Sequence, residues 1–317
     1  MEKLSIITPV YNGEKYIKRY LSSVSEVKKA EIIFIDDCST DNSYAMLKEF
    51  QKTHPSCKLL KNETNMGVSY SRNQGIKQAS NKYILFLDID DYLNDNFKNL
   101  ANYLEFDYDF ISFGVISKKN NNLIKNSIIF SGDMTKQTLL TKNLTAFFDV
   151  NVSTWIKNKL YKTSLIKNNN ILFDQNISFA EDLKFNLDFI NKSNHYYFCN
   201  DHFIVYDRDV PNSLSRQYES KNVTEYFKQR AYVEDFLKQN NIPLTKEYFF
   251  DCAGLFSYCV QKVLYCNSSI NSKEKELSQI FNHDLSGLLP YLDLNSAFDI
   301  KLKQAIENKD LKYIFGE

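Results

Sequence analysis

The stretch Tyr83-Ile84-Leu85-Phe86-Leu87-Asp88-Ile89-Asp90-Asp91 is the most informative part of this chain. Residues 83–87 form an apolar run that is typical of a buried strand. Three carboxylates then fall within four positions, where the strand would end. Carboxylates this close raise one another's pKa unless a cation lies between them. The stretch therefore predicts a metal–diphosphate site that suits Mg²⁺ or Mn²⁺, with a solvated turn as the alternative because Asp favours turns.

The residues on either side of this stretch alternate between strand and helix patterns. Strand-like runs lie at 4–10, 31–37 and 58–60, and helical apolar spacing lies at 14–24, 44–52 and 68–78. Such alternation predicts a mostly parallel α/β sheet that helices cover on both faces. Ligands of these sheets bind outside the carboxyl ends of the strands. We therefore expect the site in the loops at 9–13, 36–39, 65–67 and 88–91.

The composition excludes several classes of protein. The chain has 317 residues, of which 43% are hydrophobic, and its 39 basic residues balance its 39 acidic ones. That balance gives no electrostatic case for nucleic-acid binding, which needs a basic stripe. The six cysteines form no CxxC pair, which favours a reduced cytoplasmic setting. Strand-like sequence begins by Leu4, so we expect no secretory signal, and no apolar run is long enough to span a bilayer.

The second part of the chain changes character near residue 218. Strand–helix alternation stops there, and amphipathic helical patterns continue to the end of the chain. We therefore predict a catalytic domain at 1–217 and a helical C-terminal region at 218–317. The apolar stripes of that region need a partner surface, either one another or the catalytic domain. Homodimerisation or docking at a membrane surface would use the same pattern.

Four segments, in this order, resemble the motifs of family 2 glycosyltransferases. They are Ser5-Ile6-Ile7-Thr8-Pro9-Val10-Tyr11-Asn12, Ile35-Asp36-Asp37-Cys38-Ser39-Thr40-Asp41-Asn42-Ser43, Asn65-Met66-Gly67-Val68-Ser69-Tyr70-Ser71-Arg72-Asn73-Gln74-Gly75 and Phe86-Leu87-Asp88-Ile89-Asp90-Asp91. The resemblance continues through 155–161 and 181–183. It implies a GT-A fold, which is a Rossmann-like, mostly parallel sheet flanked by helices. It also implies a nucleotide-sugar donor and Mn²⁺ or Mg²⁺ as the cofactor.

The resemblance assigns roles to residues around the donor nucleotide. Pro9 and Tyr11 end the first strand, where Tyr11 would stack on the base; a half-buried core aromatic is the alternative. Asp37 would accept a hydrogen bond from the imide of uracil, or else cap the following helix. Asn65 and Gly67 allow a close approach of the backbone to the donor.

Further donor contacts come from charged side chains. Arg72 would reach the diphosphate or the base, and a surface salt bridge is its alternative. Arg208 and Arg216 lie in a segment that resembles a loop closing over the diphosphate, although a polar surface loop fits equally well. Asp88-Ile89-Asp90 matches the DXD metal motif of the family. Asp90 is our first metal ligand, with Asp88 near the ribose and sugar and Asp91 assisting.

Glycosyl transfer also needs a base, because an acceptor hydroxyl attacks poorly until its proton is removed. Asp182 matches the general base of the family, and Glu181 is the neighbour that binds the acceptor or tunes that base. The alternative is two acids at a helix N-terminus, which the helix dipole favours.

Together these features predict an inverting, metal-dependent hexosyl- or N-acetylhexosaminyltransferase. Its donor would be a UDP-sugar, and its acceptor a hydroxyl of a growing or lipid-linked surface glycan, such as capsule, lipooligosaccharide or teichoic acid. We expect it in the cytoplasm, at the inner face of the membrane if the acceptor is lipid-linked. An inactive glycan- or nucleotide-binding scaffold with the same fold is the alternative. A nucleotidyltransferase or a dinucleotide dehydrogenase would need a glycine-rich loop after the first strand, which is absent.

Overall fold

A computed structural model describes residues 2–27, 29–128, 131–142, 154–177, 180–209, 222–293 and 295–315. The chain divides into two units, Met1–Pro211 and Asn212–Glu317. The predicted boundary between residues 217 and 218 lies outside the described residues and stays a prediction.

The strands of the first unit form one sheet. They are β1 Leu4–Val10, β2 Glu31–Asp36, β3 Cys57–Lys61, β4 Tyr83–Phe86, β5 Tyr92–Leu93, β6 Phe110–Lys119, β7 Asn122–Asn126, β8 Gly132–Thr135, β9 Lys159–Lys162 and β10 His195–Asp207. Their order is β3-β2-β1-β4-β9-β6-β10-β5, with β7 paired to β6 and β8 to β10.

The parallel part of the sheet lies where the sequence predicts it. β1 pairs in parallel with both β2 and β4, so that Ile6 lies opposite Ile32 on one side and Leu85 on the other. β2 pairs in parallel with β3. The side chains of Ile6, Ile32 and Leu85 are all buried, as expected for strands covered on both faces. Beyond β4 the sheet becomes mixed, because β9 runs antiparallel to both β4 and β6.

Helices connect the strands of this unit. They are α1 Glu14–Ser25, α2 Ser43–Thr53, α3 Val68–Gln78, a 3₁₀ turn Asp95–Leu100 continuing as α4 Ala101–Leu104, α5 Lys136–Lys142, α6 Thr163–Asn168 and α7 Glu181–Lys192. α1 buries Ile17, Tyr20 and Val24, the face that its apolar spacing predicts.

Helix α3 lies unusually close to the sheet at Gly75. A Cβ placed on Gly75 would clash with Cγ2 of Ile7 and lie 3.0 Å from Cδ1 of Ile35. These two isoleucines belong to β1 and β2, so the missing side chain lets α3 rest directly on the strands. Arg72, about one turn earlier on the helix, is thereby fixed at the carboxyl edge of the sheet.

Gly75→Ala is expected to lower the free energy of unfolding by about 1–3 kcal/mol, because overpacking at Ile7 outweighs the gain in helix propensity. Urea unfolding measures the change. Gly254→Ala is the matched control: it lies within a helix, and a Cβ there would have no atom within 4 Å. The control is expected to leave stability equal or raise it by up to about 1 kcal/mol. An unchanged midpoint for Gly75→Ala would contradict the close packing of α3.

The second unit is helical, as predicted. It contains α8 Asn222–Gln239, α9 Lys246–Tyr265, α10 Ile270–Leu277, 3₁₀ turns at Ser278–Asn282 and Leu289–Tyr291, α11 Ala297–Asn308 and α12 Lys312–Phe315. Its apolar stripes pack on one another in a core that includes Tyr226, Phe256, Val260 and Leu302. In the described part of the chain, no helix combines the length and apolarity that crossing a membrane requires. Dimerisation and membrane docking stay predictions.

Candidate active site

The three carboxylates that follow β4 lie together in the structure. One oxygen from each of Asp88, Asp90 and Asp91 lies within 4.8 Å of the others. Asp91 is fully buried, and each of its oxygens has a donor: Oδ1 accepts from the backbone N–H of Asp207 at 3.2 Å, and Oδ2 accepts from Nζ of Lys157 at 2.5 Å. Asp88 and Asp90 are partly exposed. The turn after β4 therefore presents two carboxylates outward and one inward.

Burial and mutual repulsion change the proton affinity of these acids. Burial raises the pKa of Asp91 to about 7, against the attraction of Lys157. The pKa of Asp90 is raised mainly by burial and, to a smaller extent, by the negative charge of Asp88. Burial also opposes ionisation of Asp88, but Arg72 and Lys157 outweigh it and lower the pKa of that residue. Asp88 is thus the carboxylate most firmly held as an anion.

The residues present fit a divalent cation. Carboxylate oxygens are hard ligands, and Mg²⁺ or Mn²⁺ is commonly held by one or two of them together with substrate phosphates. Asp90 is the best candidate ligand, since in the described ranges no basic side chain pairs with its carboxylate. Asp88 is the second candidate, whereas the inward position of Asp91 suits orientation of the turn. The metal ligands stay predictions.

Arg72 joins this acidic turn to the predicted base. Its guanidinium is buried, with Nη2 at 3.0 Å from Oδ1 of Asp88. Nη1 lies 3.0 Å from Oε1 of Glu181 and 2.9 Å from Oδ1 of Asp182. Arg72 therefore does form salt bridges, as the alternative has it, but they are buried and not at the surface, because the side chain is only 4% exposed. One guanidinium gathers acids from the end of β4 and the start of α7, and the predicted contact with donor phosphate or base stays untested.

Asp182 has the protonation behaviour that suits a base near neutral pH. Glu181 and Asp182 form the first turn of α7, where the helix dipole favours negative charge. Burial nevertheless raises the pKa of Asp182 to about 7; Arg72 opposes this rise, and Glu181 and Asp88 add to it. A carboxylate whose pKa is raised towards neutrality takes up a proton readily. The catalytic roles of both acids stay predictions.

Lys157 is a site residue that the sequence reasoning missed. Its Nζ is 2.5 Å from Oδ2 of Asp91, 3.6 Å from Oδ2 of Asp88 and 4.0 Å from the centre of the Tyr206 ring. Burial disfavours the ammonium, but the charges of Asp91 and Asp88 outweigh it and raise the pKa of Lys157, so it is charged. In the sequence, only its position in segment 155–161, which resembles the family, pointed to a role for Lys157 in the site.

Arg19 is a second residue that was missed. It projects from α1, where its Nη2 donates to the carbonyl oxygen of Asp90 at 2.6 Å. Its Nη1 pairs with Asp207, and its guanidinium lies 4.5 Å from the centre of the Tyr92 ring. Arg19 thereby fixes the backbone of the acidic turn. One cation in an amphipathic helix gave no signal of this role.

The Asp37 carboxylate organises the loop after β3. It is 4% exposed and accepts three hydrogen bonds: from Nδ2 of Asn62 at 2.7 Å, from the N–H of Met66 at 2.9 Å and from the N–H of Gly67 at 2.8 Å. Gly67 has φ of +87°, a conformation that suits glycine. Asp37 thus holds the exposed Asn65 and its neighbours beside the carboxyl edge, and its predicted contact with uracil stays a prediction.

Among the described residues, Asp37 accepts no hydrogen bond from the start of α2, so it does not cap that helix. The backbone N–H of Ser43, at the start of α2, donates instead to Oδ1 of Asp41 at 2.9 Å. Tyr11 is 52% exposed at the end of β1, beside the partly buried Pro9, so its ring is accessible to a planar ligand.

The predicted closing segment is described only in part. Arg208 is exposed just after β10, and its backbone N–H donates to the carbonyl oxygen of Lys118 at 2.8 Å. Arg216 lies outside the described residues. Contacts of either arginine with phosphate stay predictions.

The chain is similar to known proteins in both sequence and fold. The family model described as Glycosyl transferase family 2 matches residues 5–165. The chain is 28% identical to the poly(ribitol-phosphate) beta-N-acetylglucosaminyltransferase TarP of Staphylococcus aureus, over 98% of this chain and 97% of TarP. It is 30% identical to the poly(ribitol-phosphate) beta-N-acetylglucosaminyltransferase TarS of the same species, over 59% of this chain. The match spans 32% of TarS, about a third of that relative's length.

Solved structures show the same fold. S. aureus TarS 1–349 in complex with UDP-GlcNAc has a TM-score of 0.68 and 20% identity, covering 98% of this chain and 89% of the other. The mannosyltransferase PcManGT from Pyrobaculum calidifontis, in complex with GDP-Man and Mn²⁺, has a TM-score of 0.54 and 12% identity, covering 99% and 88%. The expected α/β fold of GT-A type is thereby confirmed.

Proposed function

Since this chain belongs to glycosyl transferase family 2, we propose that it is an inverting, metal-dependent glycosyltransferase with a UDP-sugar donor. One observation carries the proposal: Arg72 lies within 3.0 Å of both Asp88 and Asp182. The acids assigned to the donor and the acid assigned to the acceptor therefore border one site. A scaffold protein would have no need for a base placed so close to the acidic turn.

The relatives support particular substrates. The solved TarS structure contains UDP-GlcNAc, and TarS and TarP are named poly(ribitol-phosphate) beta-N-acetylglucosaminyltransferases. We therefore assign UDP-GlcNAc as the first donor to test and a hydroxyl of a teichoic-acid-type polymer as the acceptor. A lipid-linked acceptor would place the reaction at the inner face of the membrane.

The transfer would proceed as a single displacement. The acceptor hydroxyl oxygen bonds to the anomeric carbon on the face opposite UDP, and its proton passes to a carboxylate oxygen of Asp182. The bond between the anomeric carbon and the diphosphate oxygen breaks, and its electron pair leaves with UDP. One displacement inverts the anomeric configuration.

Two arginine side chains of the protein position the groups that take part in this step. Arg72 holds Asp182 in place and balances part of its charge, while Arg19 fixes the backbone of the acidic turn through the Asp90 carbonyl. A divalent cation held by Asp90 and Asp88 would neutralise the charge that develops on the departing diphosphate.

A thermal-shift experiment tests the donor class. UDP, GDP, dTDP and CMP are added to the protein with and without Mn²⁺. We expect UDP with Mn²⁺, at about a hundred times its Kd, to raise Tm by roughly 5 °C or more, since it binds only the folded state. Asp90→Asn is expected to lose the part of the shift that depends on Mn²⁺.

Asp95→Asn is the control, because Asp95 is an acid just beyond the turn, with no assigned contact in the site. It should respond to UDP and Mn²⁺ as the wild type does. A folded wild-type sample that responds to no nucleotide would argue for the scaffold function instead.

A further inference from the structure

Lys157 holds a fixed positive charge inside the acidic turn. Its side chain is 10% exposed, and its Nζ contacts Asp91 at 2.5 Å while lying 3.6 Å from Asp88. The ring of Tyr206 lies 4.0 Å away on a further side, where cation–π attraction adds to the two ion pairs. These three contacts hold the Lys157 ammonium in a fixed position within the site.

The three carboxylates of the turn differ in how far their oxygens are already paired with donors, and so in how well they could bind an added cation. Both oxygens of Asp91 already have donors, Lys157 and a backbone N–H. Asp88 is shared between Arg72 at 3.0 Å and Lys157 at 3.6 Å. In the described ranges Asp90 alone of the three forms no ion pair. An added metal would therefore meet one unpaired carboxylate beside a resident ammonium.

We propose that Lys157 competes with the metal for the acidic turn and so makes metal binding depend on the nucleotide. With Lys157 in place, Asp90 and a shared Asp88 hold a divalent cation weakly. A nucleoside diphosphate supplies the further oxygen ligands that such cations commonly take from phosphates. The free protein then binds little metal, and donor and metal load together.

This inference rests on the proposed function, since it assumes that the turn binds a metal and a diphosphate. It differs from a purely structural role for Lys157 in one respect. A residue that only supports the fold would change stability, whereas a competitor also changes the affinity of the free protein for the metal. The affinities of metal and nucleotide are linked reciprocally, so either ligand reports the same coupling factor.

The test uses the full chain and Mn²⁺ as the probe, with bound Mn²⁺ measured by electron paramagnetic resonance without and with saturating UDP. The variants are Lys157→Met, Lys157→Gln and Lys157→Arg. Gln keeps a donor for Asp91 and is the variant more certain to fold; Arg keeps the charge. Lys162→Met is the matched control, because Lys162 pairs with Asp107 at the other end of β9.

We expect the wild type to bind Mn²⁺ at least about tenfold more tightly with UDP than without it. Lys157→Met and Lys157→Gln should bind Mn²⁺ alone at least about tenfold more tightly than the wild type, because the ammonium that lies 2.5 Å from Asp91 and 3.6 Å from Asp88 is gone. Their coupling between Mn²⁺ and UDP should fall accordingly. Lys157→Arg and Lys162→Met should resemble the wild type.

Unchanged Mn²⁺ affinity in a folded Lys157→Gln protein would overturn the inference. If neither neutral variant folds, the wild type still tests it, since equal Mn²⁺ affinity with and without UDP would contradict it. A wild type that binds neither Mn²⁺ nor UDP would instead count against the proposed function.

Discussion

Asp182→Asn is expected to reduce kcat by about 10²- to 10⁴-fold while leaving UDP binding within a few-fold of the wild type. The amide keeps the size of the side chain but cannot accept the proton of the attacking hydroxyl. Arg72 would still contact the amide oxygen, so the geometry of the site should survive. Release of UDP from UDP-GlcNAc with acceptor present measures kcat, and calorimetry measures nucleotide affinity.

Asp188→Asn provides the control for this prediction. Asp188 lies on the same helix, α7, but pairs with Lys184 and is 40% exposed. It should retain wild-type activity. Activity of Asp182→Asn within a few-fold of the wild type would show that another group takes the proton.

Arg72→Met is expected to lower the free energy of unfolding by about 3–5 kcal/mol and kcat/KM by at least about a hundredfold. The substitution leaves three carboxylates around a buried space without the cation that they share. Asp88 and Asp182 would also repel each other and shift from their productive positions. Urea unfolding and steady-state kinetics measure the two effects.

The same substitution should move the pH dependence of catalysis. A base must be ionised to act, so kcat/KM of the wild type should fall as pH drops below the pKa of Asp182, about 7. Arg72 favours the ionised form, so its loss should move this inflection to higher pH. Arg230→Met, which breaks a pair with Glu234 in the second unit, is the control and should leave the inflection in place. An inflection that stays near 7 in Arg72→Met would mean that it belongs to another group.

Local sequence patterns predicted the part of the fold that depends on local burial. The runs that became β1, β2 and β4 are rich in apolar residues, and nearly all of their residues are buried in the sheet. The acidic turn could be located because its three carboxylates fall within four positions of the sequence. The link from Arg72 to Asp88 and Asp182 required the fold, since these residues are 16 and 110 positions apart.

Residues that act across long separations left little trace in the sequence. Lys157 reaches Asp91 because β9 pairs antiparallel with β4, and no local pattern specified that pairing. The resemblance predicted that Asp37 contacts the uracil ring of the donor. Its observed hydrogen bonds instead come from a loop about 30 residues later in the sequence. A buried charge finds its partner through the fold, so apolar spacing carries no information about it.

During synthesis, β1 leaves the ribosome before both of its sheet neighbours, β2 and β4, and lacks the second of them until β4 has emerged. β4 lacks a neighbour until β9 has been synthesised. β6 likewise lacks one until β10, which ends at Asp207, has been synthesised. At roughly 5–20 residues per second, the nascent chain would carry unpaired strand edges for roughly 10–40 s. We therefore expect this protein to engage chaperones while it is translated, and fragments that end before Asp207 to aggregate when expressed.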